Sequence, residues 1–309
     1  MAASRLGLRA AGLAPMAASP AARPFSSTSQ CARDSNIRKQ VGRMYQNVTD
    51  QPSPRLQSAK QLQSLSQTNS AAVAMLFPGT FVRPPLSKFP RNAGPFFRFA
   101  YDAVKSWGTD IVQSLIVNLS SKPSFFKRAL WKPKTALAVL SAKALHRSMS
   151  EAIAAGDKNT INKICVTKLA VPLLASIDTR PKSVRYSWEL VRYNKTWRYP
   201  RVLSRKISPI TREPGSPFVR QLVVAIASRQ HMVKYDDSAK GQGRIIPGSE
   251  KEVDLVENVV ITCTVDRNTW AQDEWRIFGT LKPTLAEDWE VEKHLLESLE
   301  AEEMSKHKV

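Results

Sequence analysis

An α+β domain is the fold class this sequence predicts, with N-terminal helices packed in the concavity of a curved, mainly antiparallel sheet of about four strands. Such a cone-like fold rests on three observations. Apolar residues recur at three- and four-residue spacing between Phe97 and Ala155. Beyond Pro172 the period falls to two, as in half-buried strands. Helices come first and strands follow, which is the order of an α+β domain rather than of alternating βαβ units.

The elements follow in order. Residues 1–32 contain Arg5, Arg9 and Arg23 among Ala, Ser and small apolar residues, and the first carboxylate of the chain is Asp34. A basic, acid-free segment of this kind reads as a mitochondrial presequence, drawn inward along a negative-inside potential. Arg23-Pro24-Phe25-Ser26-Ser27-Thr28 resembles the two-step matrix-processing pattern, which implies a first cut after Pro24 and a second after Ala32. Residues 33–76 are polar, rich in Gln and Ser, and read as a mobile arm. Residues 77–97 hold Pro78, Pro84, Pro85, Pro90 and Pro95, which forbid a continuous helix. With Phe81, Phe89, Phe96 and Phe97 this segment reads as a strap, lying either on its own domain or on a partner.

The α+β domain is expected over 98–283. Ala100, Val104, Trp107, Ile111, Leu115 and Leu119 give a first helix one apolar face, and Lys122-Pro123 ends it. A second helix is expected from Thr135 to Ala155. Gly156-Asp157 closes it, and Asp157 opens a third helix running to about Val166. Strands are then read at Val184–Leu190, Leu222–Ile226, Val259–Val265 and Trp275–Leu281, with a glycine-rich loop between Asp236 and Glu250. Residues 284–309 form an acidic closing helix and tail, expected to be solvated.

Charge narrows the class of partner. The chain has 46 Lys and Arg against 26 Asp and Glu, a net charge of +20. Residues 1–248 carry 39 of those cations against 11 carboxylates, and residues 249–309 carry 7 against 15. A basic body of this size points to a polyanion, nucleic acid or anionic lipid. Cys31, Cys165 and Cys263 are isolated, with no CxxC pair, which argues against zinc, iron–sulfur and a disulfide framework, and no cofactor is expected. The best apolar run, Leu169 to Ile177, is too short to span a bilayer and contains Pro172.

Two basic segments are the candidate sites. The first holds Arg180, Lys182, Arg185, Arg192, Lys195, Arg198, Arg201, Arg205, Lys206, Arg212 and Arg220, opposed by Glu189 and Glu213 alone. Guanidinium forks suit phosphate, so the cluster is expected to bind RNA. The interleaved Tyr186, Trp188, Tyr193, Trp197 and Tyr199 read as core rather than base platforms. The second segment sets Lys127, Arg128, Lys132 and Lys134 among Phe125, Phe126 and Trp131, a composition suited to a lipid headgroup layer. A loop packed on the domain is the competing reading. Catalysis has little sequence support. His146, His231, His294 and His307 are scattered, no catalytic motif is present, and the apolar strand faces show no obvious lone carboxylate.

The leader, the strap Leu76-Phe77-Pro78-Gly79-Thr80-Phe81-Val82, the Gly156-Asp157 corner and the basic sheet together resemble the fungal mitochondrial ribosome-receptor family. They resemble also its animal counterpart, the large-subunit mitoribosomal protein called L forty-five, and the C-terminal domain of the inner-membrane anchor of the import motor. The resemblance spans residues 70–290. It implies a non-enzymatic protein at the exit tunnel of the mitochondrial large ribosomal subunit, contacting rRNA and exit-site proteins. Peripheral attachment to the matrix side of the anionic inner membrane would align hydrophobic nascent chains with the membrane insertase. The alternative on the same fold is an import-motor adaptor that binds presequences or a chaperone. The Arg180–Arg220 density favours the first, because presequences are themselves basic.

Overall fold

The structure, a computed structural model, describes residues 75–124, 126–196, 198–211, 215–238 and 243–306. The expected presequence, the arm to residue 74, Phe125, Trp197 and Arg212 lie outside the described residues. Among the described residues five α-helices and a six-stranded antiparallel sheet form an α+β unit, the class the sequence predicts. The helices are α1 (Ala93–Ser120), α2 (Thr135–Ala155), α3 (Lys158–Ile164), α4 (Thr167–Asp178) and α5 (Ala286–Lys306). The strands are β1 (Val184–Tyr193), β2 (Arg201–Pro209), β3 (Phe218–Asp236), β4 (Arg244–Ile245), β5 (Lys251–Val265) and β6 (Arg276–Leu281).

Strand β3 is the spine. From Phe218 to Met232 it pairs with β5 along one side and at Tyr235 and Asp236 with β4, while β2 takes the N-terminal half of the other side and β1 the C-terminal half. Residues 218–228 are buried without alternation because both faces of the sheet are covered there. On one face Leu222, Val224 and Ile226 of β3, Val259 and Ile261 of β5 and Ile277 of β6 pack against α2, α3 and α4 through Ala138, Ala142, Met149, Ile161, Leu169 and Leu173. On the other, Val223, Val260, Phe278 and Leu281 receive Leu76 and Val82 of the strap. Ile161, Leu222, Ile261 and Ile277 are 0 % exposed. Each such side chain contributes about 1.5–3 kcal/mol relative to exposure.

The corner between α2 and α3 is built as its sequence predicts. Gly156 takes φ 75°, a left-handed conformation that costs glycine little, and ends α2. The Asp157 carboxylate then accepts the backbone N–H groups of Asn159 at 3.0 Å and Thr160 at 3.2 Å, capping α3. The side-chain hydroxyl of Thr160 adds a further bond, and together these hold the Asp157 carboxyl below its usual range.

Strand β2, the helix through Pro172 and the position of α1 differ from expectation, and the strap decides between the two readings left open. Strand β2 was not expected, because Arg201–Pro209 has no apolar alternation; pairing with β3 places it. The chain stays helical through Pro172, where Leu169, Ala170 and Leu173 of α4 are buried on the sheet and packing outweighs the lost backbone hydrogen bond. The strap lies on its own domain: Phe77 donates its N–H to Gln221 at 3.0 Å, and Phe81 packs on Phe99 and Trp289. Helix α1 crosses the strap-covered face at β2, opposite to α2–α4.

Candidate nucleic-acid and membrane surfaces

The first basic segment divides by its neighbours. Arg180 reaches back to the Ile153 carbonyl at 2.6 Å and lies over the Tyr186 ring, so it joins α2 to β1. Lys206, 12 % exposed, is paired with the buried Asp110 carboxylate at 2.8 Å. Arg220 is 3 % exposed, with its guanidinium over the rings of Trp131 and Trp275 and hydrogen-bonded to Gln272 and the Pro133 carbonyl. Arg180, Lys206 and Arg220 are therefore structural, which corrects their expected place among phosphate contacts. Tyr186, Trp188 and Tyr193 face the helices half-buried, and the Tyr193 hydroxyl donates to the Lys143 carbonyl at 2.9 Å.

The remaining members differ in local sign. Arg185 is exposed on β1 and bonded to Asp237 at 2.9 Å. Nearby, Arg229 pairs with Glu252 and His231 with Glu250, while Asn194 donates to Asp254. The cluster has one sign in sequence, but β5 and the end of β3 bring carboxylates alongside it. Lys182 is exposed in the turn before β1. A positive excess persists where β1 passes to β2, at Arg192, Lys195, Arg198, Arg201 and Arg205. Helix α2 adds Lys143, which the sequence did not nominate. Its ammonium lies 3.9 Å from the Tyr193 ring centroid, and burial, then the charge of Lys195, push its pKa down.

Helix α1 has two apolar faces, and the less expected one is turned inward. Phe99, Ser106, Asp110 and Val117 are buried. Asp110 accepts from the Ser204 hydroxyl at 2.7 Å and the Arg205 N–H at 2.8 Å, besides the Lys206 ammonium. Asp102 accepts from the Trp289 indole at 3.1 Å. These contacts fix the rotation of the helix and leave Val104, Trp107, Leu115 and Leu119, part of the face read as a single apolar stripe, 52–63 % exposed. Phe97, Tyr101, Val112 and Ile116 extend the exposed surface. Both carboxylates of α1 are engaged by the domain, while its cations Arg98 and Lys105 are exposed. The outer surface of this 28-residue helix, about 42 Å long, is therefore apolar and basic.

The second basic segment returns against the end of α1. Asn118 donates to the Trp131 carbonyl at 2.7 Å, and the Ser121 hydroxyl accepts the Trp131 N–H. Trp131 is 3 % exposed beneath Arg220, which removes it from the expected membrane contacts. Phe126 is 95 % exposed, and Lys127, Arg128, Lys132 and Lys134 are exposed around it. Leu130, Leu137 and Leu140 are exposed as well, so apolar and basic residues of this loop and α2 add to those of α1. Among the described residues no helix is long and apolar enough to cross a membrane.

A buried polar chain corrects the expectation of carboxylate-free strand faces. Glu257 of β5 bonds His146 of α2 at 2.9 Å and accepts from Gln230 at 2.7 Å, and the Gln230 carbonyl oxygen accepts the Trp188 indole N–H at 2.9 Å. The signal was present in sequence: Glu257 precedes Val259, Ile261 and Cys263 at the same period of two, and His146 follows Ala138 and Ala142 at four-residue spacing. Burial pushes the Glu257 carboxyl up, but the bonds and charge of His146 and the bond from Gln230 outweigh it and hold the carboxyl below its ordinary value of 4.5. A depressed carboxylate stabilises the fold above its unfolded pKa, and that contribution is lost as pH falls through the folded value. Glu257→Gln is expected to lower stability by about 1–3 kcal/mol at neutral pH. The gap to the parent should narrow as pH falls below 4.5, as urea midpoints would read. An equal gap at both pH values would contradict this linkage.

An open groove of about 510 Å³ lies beside β1, between Tyr186 and Trp188 and the ends of α2 and α4. Its lining stops at Trp188, and neither His146 nor Glu257 reaches it. Cys165 and Cys263 are buried thiols that desolvation pushes up to about 12, which makes them unreactive near neutral pH. No protein-family model and no curated protein sequence matches this chain.

Proposed function

We propose that this protein is a non-enzymatic, peripheral tether between the mitochondrial large ribosomal subunit and the matrix side of the inner membrane. In this reading it stands at the exit tunnel, where hydrophobic nascent chains pass to the insertase. The observation that carries the membrane half is the outward stripe of α1, apolar and bordered by cations, with its carboxylates drawn into the domain. An amphipathic helix of this kind lies in the headgroup plane rather than across the bilayer. The ribosomal half rests on the basic passage from β1 to β2, on the acid-free leader and on the resemblance of the strap and the Gly156-Asp157 corner to the ribosome-receptor family.

Arg192, Lys195, Arg201 and Arg205 are the residues assigned to rRNA phosphate. Their joint replacement by Glu should release the protein from the large subunit on a sedimentation gradient. The slope of log affinity against log salt should fall in magnitude by about 3, the share of four phosphate contacts. Circular dichroism checks that the variant is folded. Unchanged co-sedimentation of a folded variant would remove the rRNA assignment.

A further inference from the structure

Strand β1 ends the sheet, and among the described residues β3 alone pairs with it. The direction of its outer groups follows from the ladder. Asp237 donates its N–H to the Ser183 carbonyl, so Ser183 and, at spacing two, Arg185, Ser187 and Glu189 turn their backbone groups toward β3. Tyr186, Trp188 and Leu190 therefore turn theirs outward. A strand edge of this kind is a template for another strand.

The sequence along that edge is self-complementary in one antiparallel register. With a two-fold axis at Ser187, Arg185 lies opposite Glu189 of the partner subunit and Glu189 opposite the partner's Arg185. Tyr186 meets the partner's Trp188, and Val184 meets the partner's Leu190. The outward backbone groups of Tyr186 and Trp188 face each other in this register, as a hydrogen-bonded antiparallel pair requires. Shifting the axis to Tyr186 or Trp188 keeps the backbone phase but loses both Arg–Glu pairs. This register also ends short of the bulge between Leu190 and Arg192. Arg185 would exchange its exposed Asp237 partner for the partner's Glu189, a small cost for a solvated pair.

We infer that two copies of this chain associate edge to edge along β1, antiparallel about Ser187, into one continuous sheet. The interface is isologous and closed, so it yields dimers rather than filaments.

Sedimentation equilibrium of the full chain without lipid or ribosome reads the result. The parent should show a concentration-dependent monomer–dimer equilibrium. Glu189→Arg, which sets Arg against Arg at both symmetric contacts, should weaken it about tenfold. Arg185→Glu combined with Glu189→Arg should restore it by exchanging the signs. Glu189 and Arg185 are exposed, so neither variant threatens the fold. A parent monomeric throughout, or a dimer indifferent to Glu189→Arg, would overturn the proposal. So would a dimer that Leu115→Glu on α1 abolishes and Glu189→Arg spares, because it would place the contact on the apolar stripe.

Discussion

Val104→Glu with Leu115→Glu should release the protein from cardiolipin-containing liposomes while leaving its thermal unfolding unchanged. Both side chains are more than half exposed on α1, at 63 % and 53 %, so the domain loses little packing. On the membrane the loss is large. Each apolar side chain that enters the acyl boundary contributes about 1.5–3 kcal/mol, and each new carboxylate is repelled by anionic headgroups. Two such changes correspond to at least about a hundredfold weaker binding. Flotation of the folded protein on neutral and anionic vesicles measures it. Equal flotation of parent and variant would show that α1 is not the lipid contact.

Asp110→Ala should be the most destabilising change among the charged residues, by about 3–5 kcal/mol. The carboxylate is 2 % exposed and satisfies the Lys206 ammonium, the Ser204 hydroxyl and the Arg205 N–H at once. Its removal strands a cation that is 12 % exposed. The measurement is the urea midpoint at neutral pH. Lys206→Met added to Asp110→Ala should recover part of the loss, because an apolar side chain then takes the place of the orphaned charge. If the double variant is no more stable than the single, the buried ion pair is not the cause.

The same aspartate explains why the orientation of α1 was not legible in sequence. Counting apolar residues assigns the core to the richest stripe, Ala100 to Leu119. On α1 a thinner stripe wins because Phe99 and Val117 share it with Asp110, whose partners on β2 lie 94 to 96 positions further along the chain. Nothing local announces that meeting. The Gly156-Asp157 corner was legible because a left-handed cap and an N-cap are short-range devices. Strand β1 was legible because one-sided burial imposes a period of two, and β3 because two-sided burial leaves a continuous apolar run. Strand β2 was not, because its edge position lets Arg201, Arg205 and Lys206 stand where a central strand would need apolar residues.

The basic cluster shows the same limit in electrostatics. A run of cations can be counted in sequence, but the net field of a surface depends on what folds beside it. Glu252, Asp254 and Asp237 arrive next to β1 from later in the chain and divide a continuous cluster into a paired part and a positive part. Lys143 enters the positive part from α2, ahead of the cluster.

The joint between the strap and the closing helix bears on when the domain can form. Val82 and Thr284 bond each other reciprocally at 2.9 Å, and the Gly79 N–H is accepted by Glu292 at 2.9 Å. These contacts join segments 202 and 213 residues apart, nearly the whole described chain. During synthesis these bonds of the strap therefore cannot form until the ribosome has made Thr284 and Glu292 and both have cleared the tunnel. Loop closure over that separation is slow, and the edge it completes is among the last to order. A chain halted before Thr284 would leave the Phe81 ring without Trp289 on it, a hydrophobic mark by which an unfinished copy differs from a finished one.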